Sequence, residues 1–299
     1  MTVAAAWKAD LARALGARVA AADPVAGGDI NDAYRARLVD GRVIFVKTHA
    51  APPPRMFEAE AAGLDWLRAG PLRVPRALAW GERFLALEWL ELGDRGRPRG
   101  AAYGAAAYGA AAFFDEALGR GLAALHRTGA PCFGLDRDNY LATLPQPRVE
   151  IAGADAGPAF WIEHRVRPLA ERARAAGRMP DVSAQLDALL ARPDRFGPPE
   201  PPARLHGDLW WGNVVAADGA PALIDPAVYG GHREVDLAML ALFGSLPEAL
   251  VRAYDEVYPL APGWRERRPL WQLYPLAAHA VLFGGGYGAQ VAHSLDALV

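Results

Sequence analysis

The chain has 299 residues, with 32 lysines and arginines against 34 acidic residues and a single cysteine. This length accommodates one large domain or two lobes around a cleft. The near-neutral balance argues against partners such as nucleic acid or an anionic membrane surface, and one cysteine excludes an internal disulfide or a cysteine-rich metal site. No apolar run reaches the roughly 20 residues that a membrane span needs. We therefore expect a soluble, cytoplasmic protein.

The first ninety residues are predicted to be rich in strands. Charged residues interrupt the opening apolar stretch, which predicts a short amphipathic helix rather than a secretion signal. An Asp-Gly turn signal at residues 40–41 precedes the β-rich run VIFV, which predicts a hairpin. A helix is expected over residues 55–69. Two more strands are expected over residues 77–80 and 84–90.

A larger and mainly helical part is expected to follow. The polar, glycine-rich segment DRGRPRG at residues 94–100 is typical of a connection between lobes. The alanine-rich stretch at residues 101–129, with Leu118, Leu122 and Leu125 at helical spacing, predicts a long helix. Helical patterns recur near residues 160–177 and 181–191, and two short strands are expected around the polar loop that follows them. The sequence therefore predicts an α+β, bilobal protein, with a β-rich N-terminal lobe over residues 1–92 and a larger helical lobe over residues 93–299.

The sharpest chemical signal is Asp208 followed by Asn213 within the run HGDLWWGN. In kinase chemistry an aspartate orients the attacking hydroxyl, and an asparagine five positions later holds a Mg²⁺ ion. Gly207 and Gly212 permit the tight loop that turns both side chains toward one phosphate. By itself this spacing is also typical of an ordinary surface turn.

A second carboxylate, Asp225, ends the short apolar run Leu223-Ile224. Mg²⁺ prefers hard oxygen ligands and takes one or two carboxylates together with substrate phosphates. The alternative is an aspartate that caps the turn at Pro226. Because Asp225 follows the Asn213 loop so closely, we interpret the two residues as a Mg²⁺ site.

Lys47 and Glu60 form the third element of the pattern. Lys47 shares strand parity with Phe45, and a lysine on such a face needs an anionic partner because burial of an unpaired charge is costly. Glu60 has the helical phase of the apolar residues Phe57 and Leu64, whereas Glu58 does not. The pair resembles the one that positions nucleotide phosphates, and two solvated surface charges are the alternative.

Taken with the run IDPAVYGGHREVDLAML, these residues resemble the fructosamine (ketosamine) kinase family, in the aminoglycoside-phosphotransferase-like branch of the protein-kinase fold. The Asp-Pro-Ala-x-Tyr-x-Gly-His-x-Glu pattern is typical of these sugar-amine kinases. The resemblance covers most of the chain, through the segments GGDINDAYR, VIFVK, MFEAEAAGLDWL, FGLDRDNYLATLPQ and LFGGGY.

The resemblance implies a role for each matching position. Asp208 would be the catalytic base, Asn213 and Asp225 the Mg²⁺ ligands, and Lys47 with Glu60 the phosphate-positioning pair. The remaining implied contacts are a phosphate-covering loop containing Gly27, Gly28 and Asn31, a hinge of Glu88, Trp89 and Leu90 that reads adenine, and substrate contacts from Trp210, Tyr229, His232 and Glu234.

Alternatives stay open for several of these substrate positions. Either Trp210 or Trp211 is expected to pack in the core, and a helix-capping role is an equal alternative for His232 and Glu234. Two further residues near the loop are expected to be structural. These are His206 and Asp236, which would brace the catalytic loop.

The implied activity is ATP- and Mg²⁺-dependent phosphorylation of the 3-hydroxyl of a glycated amine, free or on a protein side chain, as a step of deglycation. A related kinase of an aminoglycoside, choline or homoserine is the alternative enzyme. An inactive kinase-like binding protein is the alternative from another class. No recognisable activation segment follows Asp225, which argues against a protein kinase. The oligomeric state is left open.

Overall fold

A computed structural model describes residues 3–25, 31–93 and 105–299 of the chain. Within the first and third ranges, the side chains of residues 3–6 and 105–110 are not described. Two predictions lie outside these ranges: the loop glycines Gly27 and Gly28, and the connecting segment DRGRPRG.

Helices and strands alternate in the N-terminal third, and helices predominate afterwards. The helices are α1 (Val3–Leu15), α2 (Met56–Leu67), α3 (Ala105–Arg127), α4 (Gly157–Trp161), α5 (Arg167–Ala175), α6 (Ser183–Leu190), α7 (Glu234–Leu242), α8 (Glu248–Val257), α9 (Arg268–Phe283) and α10 (Tyr287–Leu298). The strands are β1 (Val19–Pro24), β2 (Asp32–Leu38), β3 (Val43–Thr48), β4 (Ala77–Trp80), β5 (Phe84–Glu88), β6 (Leu92–Gly93), β7 (Phe133–Leu135), β8 (Asn139–Leu141), β9 (Leu144–Gln146), β10 (Val149–Ile151), β11 (Ala203–Leu205), β12 (Val214–Ala217), β13 (Ala220–Leu223) and β14 (Tyr229–Gly231).

In the described part of the chain, the N-terminal region forms a five-stranded antiparallel sheet in the order β1-β2-β3-β5-β4. Alternation along β3 gives the sheet two different faces. Ile44 and Val46 are buried against Trp7 and Leu11 of α1, whereas Lys47, the residue after Val46, points to the opposite side and contacts Glu60. The sheet therefore buries one face under α1 and turns Lys47 toward the rest of the molecule.

Helix α2 packs on that opposite side. Its buried residues include Phe57, Glu60 and Leu64, which is the face that the helical phase predicts. Glu58 lies off this face and pairs instead with Arg55 at the surface. Since β3 and α2 are joined by a short proline-containing loop, the fold brings Lys47 and Glu60 together.

The C-terminal region combines short strands with a large helical core. Within the described residues the strands form sheets in the orders β10-β7-β14-β11 and β13-β12-β6, with β8-β9 as a separate hairpin. Strand β6 pairs with β12, so residues 92–93 belong by hydrogen bonding to a C-terminal sheet. The long core runs continuously beneath both regions, from Phe57 and Leu64 on α2 to Leu295 on α10. This arrangement confirms the α+β prediction, and the division at residue 93 stays a prediction.

Two local features differ from the predictions. The helix expected over residues 160–177 contains a π-helical segment at Ile162–Val166 between α4 and α5. The strands β7 to β10 were not expected, because each is only three residues long and such runs carry little periodicity. Among the described residues, no helix combines the length and apolar character required to cross a bilayer.

Candidate active site

A cleft of about 840 Å³ lies between the N-terminal sheet and the C-terminal helices. A cavity of this size is within the range of small-molecule sites. Its walls contain residues from β3, α2, the segment after β5, the loop before β12, and helices α7, α9 and α10. Most of the residues predicted to act on substrate or nucleotide lie in this cleft.

The loop between β11 and β12 carries the HGDLWWGN run. Its course depends on Gly207, which has a φ of 82°, a conformation that costs little only for glycine. A Cβ at this position would lie 2.1 Å from the carbonyl oxygen of Ala227. The chain then turns through a short 3₁₀ segment at Trp211–Asn213 into β12. Asp208 and Asn213 are thereby held on the same side of the loop.

Asp236 on α7 fixes the backbone of this loop. It is fully buried, and its carboxylate accepts hydrogen bonds from the backbone N–H groups of His206, at 2.8 Å, and Gly207, at 3.0 Å. His126 Nε2 lies 3.2 Å from the same carboxylate, and His126 Nδ1 lies 2.7 Å from the hydroxyl of Tyr254. Burial alone would raise the pKa of Asp236, but the His126 hydrogen bond and the charges and backbone donor beside it lower the pKa. The predicted bracing by Asp236 is confirmed.

His206 also supports the loop, as predicted. Its Nε2 is 2.9 Å from the carbonyl oxygen of Ile224, and its Nδ1 is 3.3 Å from the backbone nitrogen of Asp208. An N–H on Nε2 that donates to Ile224 leaves Nδ1 as the acceptor, so the hydrogen bonds favour the neutral ring. Burial lowers the pKa of His206, which favours the same form.

Asp208, Asn213 and Asp225 come together at the centre of the cleft. Asn213 Nδ2 donates to the carbonyl oxygen of Asp208 at 2.8 Å and to its carboxylate Oδ2 at 3.2 Å. Burial, followed by repulsion from the Asp225 carboxylate, raises the pKa of Asp208 to about 7. A carboxyl group with such a pKa titrates near neutral pH, where it is suited to exchange a proton.

Asp225 occupies an unusual backbone conformation. Its φ is 55°, in the left-handed region that non-glycine residues rarely adopt. Such strain is commonly found where a side chain has to be aimed at a functional site. Here it accompanies a carboxylate that is 43% exposed to the cleft and lies 2.8 Å from Lys47 Nζ.

Lys47 joins the two regions of the cleft. Its Nζ lies 2.7 Å from Glu60 Oε1 as well as 2.8 Å from Asp225 Oδ1. Burial alone would lower the pKa of Lys47, but the carboxylates of Asp225 and Glu60 outweigh it and raise the pKa. The lysine is therefore charged and held in place by two carboxylates, one from α2 and one from the C-terminal region.

The predicted nucleotide-binding residues that the structure describes line the same end of the cleft. Asn31, Glu88, Trp89 and Leu90 all contribute to its wall. Glu88 also accepts a hydrogen bond from the backbone of Arg76 at 2.9 Å. The buried Asn31 Oδ1 and Trp89 Nε1 atoms have no hydrogen-bond partner within the described part of the chain. Buried polar atoms are normally paired, so a polar ligand bound at this end of the cleft would supply partners for these two atoms.

Trp210, on the loop that carries Asp208, also lines the cleft. Its indole is 42% exposed and packs over Gly212, where a Cβ would lie 2.2 Å from the ring. Trp211 points away, packs against the core and donates from Nε1 to the carbonyl oxygen of Ser245 at 3.2 Å. The expectation that the two tryptophans differ thus has a structural basis, with Trp210 on the cleft side.

Three residues predicted to touch substrate lie elsewhere. Tyr229 is completely buried, with the guanidinium of Arg165 4.3 Å from its ring centre. His232 is buried and stacks on the ring of Trp271 at 4.4 Å. Neither lies in the wall of the cleft. Strand β14 pairs with β11 and β7, so its side chains enter the core.

Glu234 is also a structural residue in this arrangement. Its carboxylate is 2% exposed and accepts two hydrogen bonds from Arg267 and one from Trp271 Nε1. With its oxygens so occupied, it has no free path to a ligand in the cleft. Of the two residues, only His232 has a contact that suits the capping alternative, because its Nδ1 lies 3.3 Å from the backbone nitrogen of Glu234 at the start of α7.

Several lining residues carried no strong sequence signal. They come from α7, the β8–β9 hairpin, α9 and α10, and include Met239, Phe243, Tyr140, Ala142, His279, Phe283 and Tyr287. The sequence offered His279 as a possible pocket residue, which its place in the lining supports. The segments FGLDRDNYLATLPQ and LFGGGY contain Tyr140, Ala142, Phe283 and Tyr287, but they gave no role to these residues, which only the packing of the elements brings to the cleft.

The centre of the cleft has the oxygen donors that a magnesium ion requires. Asp225 offers a carboxylate, and Asn213 offers its amide oxygen because its Nδ2 is directed to Asp208. Among the described residues, no group of three or more histidine, cysteine or acidic side chains could hold a metal on its own. A small set of hard oxygen donors fits Mg²⁺, which takes its other ligands from phosphates and water.

Three features together define a protein-kinase-like phosphotransferase. They are a lysine paired with a glutamate on a helix, a braced loop that carries an aspartate and an asparagine, and a second aspartate at the end of a strand. The chain belongs to the fructosamine kinase family, whose model matches residues 3–299. It is 38% identical over 283 residues to a "probable ketoamine kinase" from Synechocystis, covering 91% of this chain and 88% of that protein.

Solved structures agree with this assignment. A candidate fructosamine-3-kinase from Thermobifida fusca superposes with a TM-score of 0.82 at 38% identity, covering 97% of each chain. A macrolide 2'-phosphotransferase from Brachybacterium faecium has the same fold, with a TM-score of 0.61 at 18% identity over 98% of each chain. The protein is therefore an enzyme that transfers a phosphoryl group to an alcohol.

Proposed function

We propose that this protein transfers the γ-phosphoryl group of ATP to the 3-hydroxyl of a ketoamine, which is a sugar joined through C1 to an amine. The observation that carries the proposal is the juxtaposition of Asp208 with the Lys47–Asp225 pair, 2.8 Å between Nζ and Oδ1, in one cleft. Phosphorylation at the 3-position makes the sugar–amine bond labile, so the reaction would serve deglycation of free or protein-bound amines.

Each side chain has a definite task in this mechanism. Asp208 accepts a hydrogen bond from the attacking hydroxyl and takes its proton as the oxygen bonds to the γ-phosphorus, while the bond from that phosphorus to the bridging oxygen breaks and ADP leaves. Lys47, held by Glu60, positions the phosphates of the nucleotide, and the segment Glu88–Leu90 contacts its base. Asn213 and Asp225 would hold Mg²⁺, which neutralises charge on the phosphates when it is bound. Trp210 would stack on the sugar.

The charge of the cleft distinguishes this reaction from phosphorylation of an aminoglycoside. In the described lining, the charged side chains are Lys47, Glu60, Glu88, Asp208 and Asp225. Apart from Asp208 they belong to the nucleotide end and the predicted metal site. An aminoglycoside carries several ammonium groups, which need carboxylate partners when they are desolvated. The acceptor end supplies no such set, so a ketoamine with one amine fits it better.

The test is a substrate panel combined with one substitution. Purified protein would be assayed with ATP and Mg²⁺ against fructosamines, ribulosamines, aminoglycosides, choline and homoserine. Asp208→Asn should abolish phosphoryl transfer to the ketoamine while ATP binding survives. Asp218→Asn is the matched control, because Asp218 is exposed at the β12–β13 turn and lies outside the cleft.

The results separate the alternatives cleanly. A fully active Asp208→Asn variant would remove the assigned base. Turnover of an aminoglycoside, choline or homoserine alone would transfer the proposal to that substrate. A protein that binds ATP but phosphorylates none of the panel would support the inactive, kinase-like binding protein.

A further inference from the structure

The part of the cleft lining that comes from the end of α7, from α9 and from the start of α10 is largely apolar. Five phenylalanine and tryptophan side chains are exposed among the described residues. Three of them, Trp210, Phe243 and Phe283, line this one cleft. Exposed aromatic rings that gather in one place mark a binding surface more often than scattered ones do.

Phe243, Phe283 and Tyr287 form a continuous ledge around His279. The ring centre of His279 lies 5.0 Å from that of Phe243, 5.4 Å from that of Phe283 and 5.1 Å from that of Tyr287. Phe243 is 46% exposed and Phe283 is 55% exposed. We name these three residues, with His279 between them, the aromatic ledge.

The polar atoms of the ledge are few. The His279 Nδ1 atom lies 2.7 Å from the carbonyl oxygen of Pro275. This contact requires Nδ1 to carry the proton, so Nε2 is an acceptor in the neutral ring. The only other side-chain polar atom of the ledge is the hydroxyl of Tyr287. The polyol part of a ketoamine has several hydroxyl groups, and they would lose hydrogen bonds if they were buried here.

The geometry of the reaction orders the substrate along the cleft. In-line transfer places the acceptor oxygen at Asp208, facing the nucleotide. The amine nitrogen is carried on C1 and the reacting oxygen on C3, so the nitrogen and its substituent project beyond the sugar. Apart from the predicted nucleotide-binding residues, the lining includes the end of α7, α9 and the start of α10, which carry the ledge and offer a surface to this substituent.

We propose that the aromatic ledge binds the substituent of the acceptor's amine and makes the enzyme select ketoamines whose substituent is apolar and uncharged. This inference rests on the proposed function. An aryl or alkyl group gains contact area on Phe243 and Phe283. A carboxylate on the substituent, as in a glycated amino acid, meets neither lysine nor arginine in this part of the described lining.

The experiment compares three fructosamines, made from benzylamine, ethanolamine and glycine. With the unsubstituted protein we expect kcat/KM to be about tenfold higher for the benzylamine compound than for the ethanolamine compound, and lowest for the glycine compound. Phe243→Ala should remove about tenfold from kcat/KM of the benzylamine compound and less than about twofold from that of the ethanolamine compound.

Two further variants keep the test decisive if Phe243→Ala folds poorly. Phe283→Ala should act in the same direction, since Phe283 is the more exposed ring of the ledge. Phe113→Ala is the matched control, because Phe113 is 67% exposed on α3 and lies outside the cleft lining. It should leave all three values of kcat/KM unchanged.

The possible results point to different conclusions. A preference for the benzylamine compound that both ledge variants reduce supports the ledge. Equal kcat/KM for the three compounds, or ledge variants that lower all three equally, overturns it while the kinase proposal stands. If the unsubstituted protein phosphorylates none of the three fructosamines, the same three amines are compared as ribulosamines, and failure with both sugars overturns the proposed function and the ledge with it.

Discussion

The bracing of the catalytic loop by Asp236 leads to a quantitative prediction for Asp236→Asn. The buried carboxylate accepts three hydrogen bonds, from the backbone N–H groups of His206 and Gly207 and from His126. An amide can keep its oxygen toward His206 and His126, but its NH₂ group then faces the N–H of Gly207. Two donors meet at this point and neither has an acceptor.

The cost follows from those contacts. An orphaned buried donor costs about 1–3 kcal/mol, and loss of charge assistance weakens the two remaining bonds by about 1 kcal/mol together. We expect Asp236→Asn to lower the free energy of unfolding by about 3 kcal/mol, which for a chain of 299 residues corresponds to a fall in Tm of about 5 °C. The value of kcat should fall as well, because the loop that carries Asp208 loses its anchor.

Thermal unfolding followed by circular dichroism measures the stability, and steady-state kinetics measures kcat. Asp296→Asn is the control: Asp296 is exposed on α10, and exposed substitutions usually change stability by less than about 0.5 kcal/mol. If Asp236→Asn unfolds within about 2 °C of the unsubstituted protein, the hydrogen-bond argument is refuted.

Three more predictions follow from the cleft and its surroundings. Lys47→Met should weaken ATP binding, measured by calorimetric titration, and lower kcat by about 100-fold. It leaves the buried Glu60 carboxylate without its partner and so lowers the free energy of unfolding. The double variant with Glu60→Gln should regain that stability but not the lost kcat. The pKa of Asp208 is raised to about 7 and a base acts in its ionised form, so kcat/KM should fall as pH falls through about 7. A cation at Asp225 offsets the repulsion between the two carboxylates and moves this acidic limb of the pH profile to lower pH. An acidic limb that does not shift with Mg²⁺ would contradict the assignment of Asp208 as the base. Glu234→Gln should lower Tm by breaking the pair with Arg267 while KM for the ketoamine stays unchanged, and a changed KM with unchanged Tm would restore Glu234 as a substrate contact.

Much of this architecture could be predicted from local sequence patterns. The helical phase of α2 separated Glu60 from Glu58, because burial of one helix face depends on spacing alone. The parity of β3 likewise placed Lys47 opposite Ile44 and Val46. Both are properties of a single element, and the structure reproduces them in the ion pair between Lys47 and Glu60.

Other features depend on contacts between elements that are distant in sequence, and local sequence patterns could not predict them. Tyr229 and Glu234 follow the catalytic loop closely in sequence, yet strand pairing and the Arg267 contact turn both into the core. Phe243 and His279 lie on separate helices, and their 5.0 Å ring contact arises only when α7 and α9 pack together. Proximity in sequence was thus a poor measure of proximity to the cleft.

The aromatic ledge has a consequence for how this enzyme can change. Its residues lie at the end of α7, on α9 and at the start of α10, whereas the residues assigned to phosphoryl transfer lie on β3, α2 and the segments flanking β12 and β13. The two sets share a cleft but no secondary-structure element. Replacement of a ledge residue can therefore alter which amine is accepted and leave the phosphoryl-transfer machinery intact. Relatives that descend from one such chain could therefore differ in substrate specificity while they catalyse the same phosphoryl transfer.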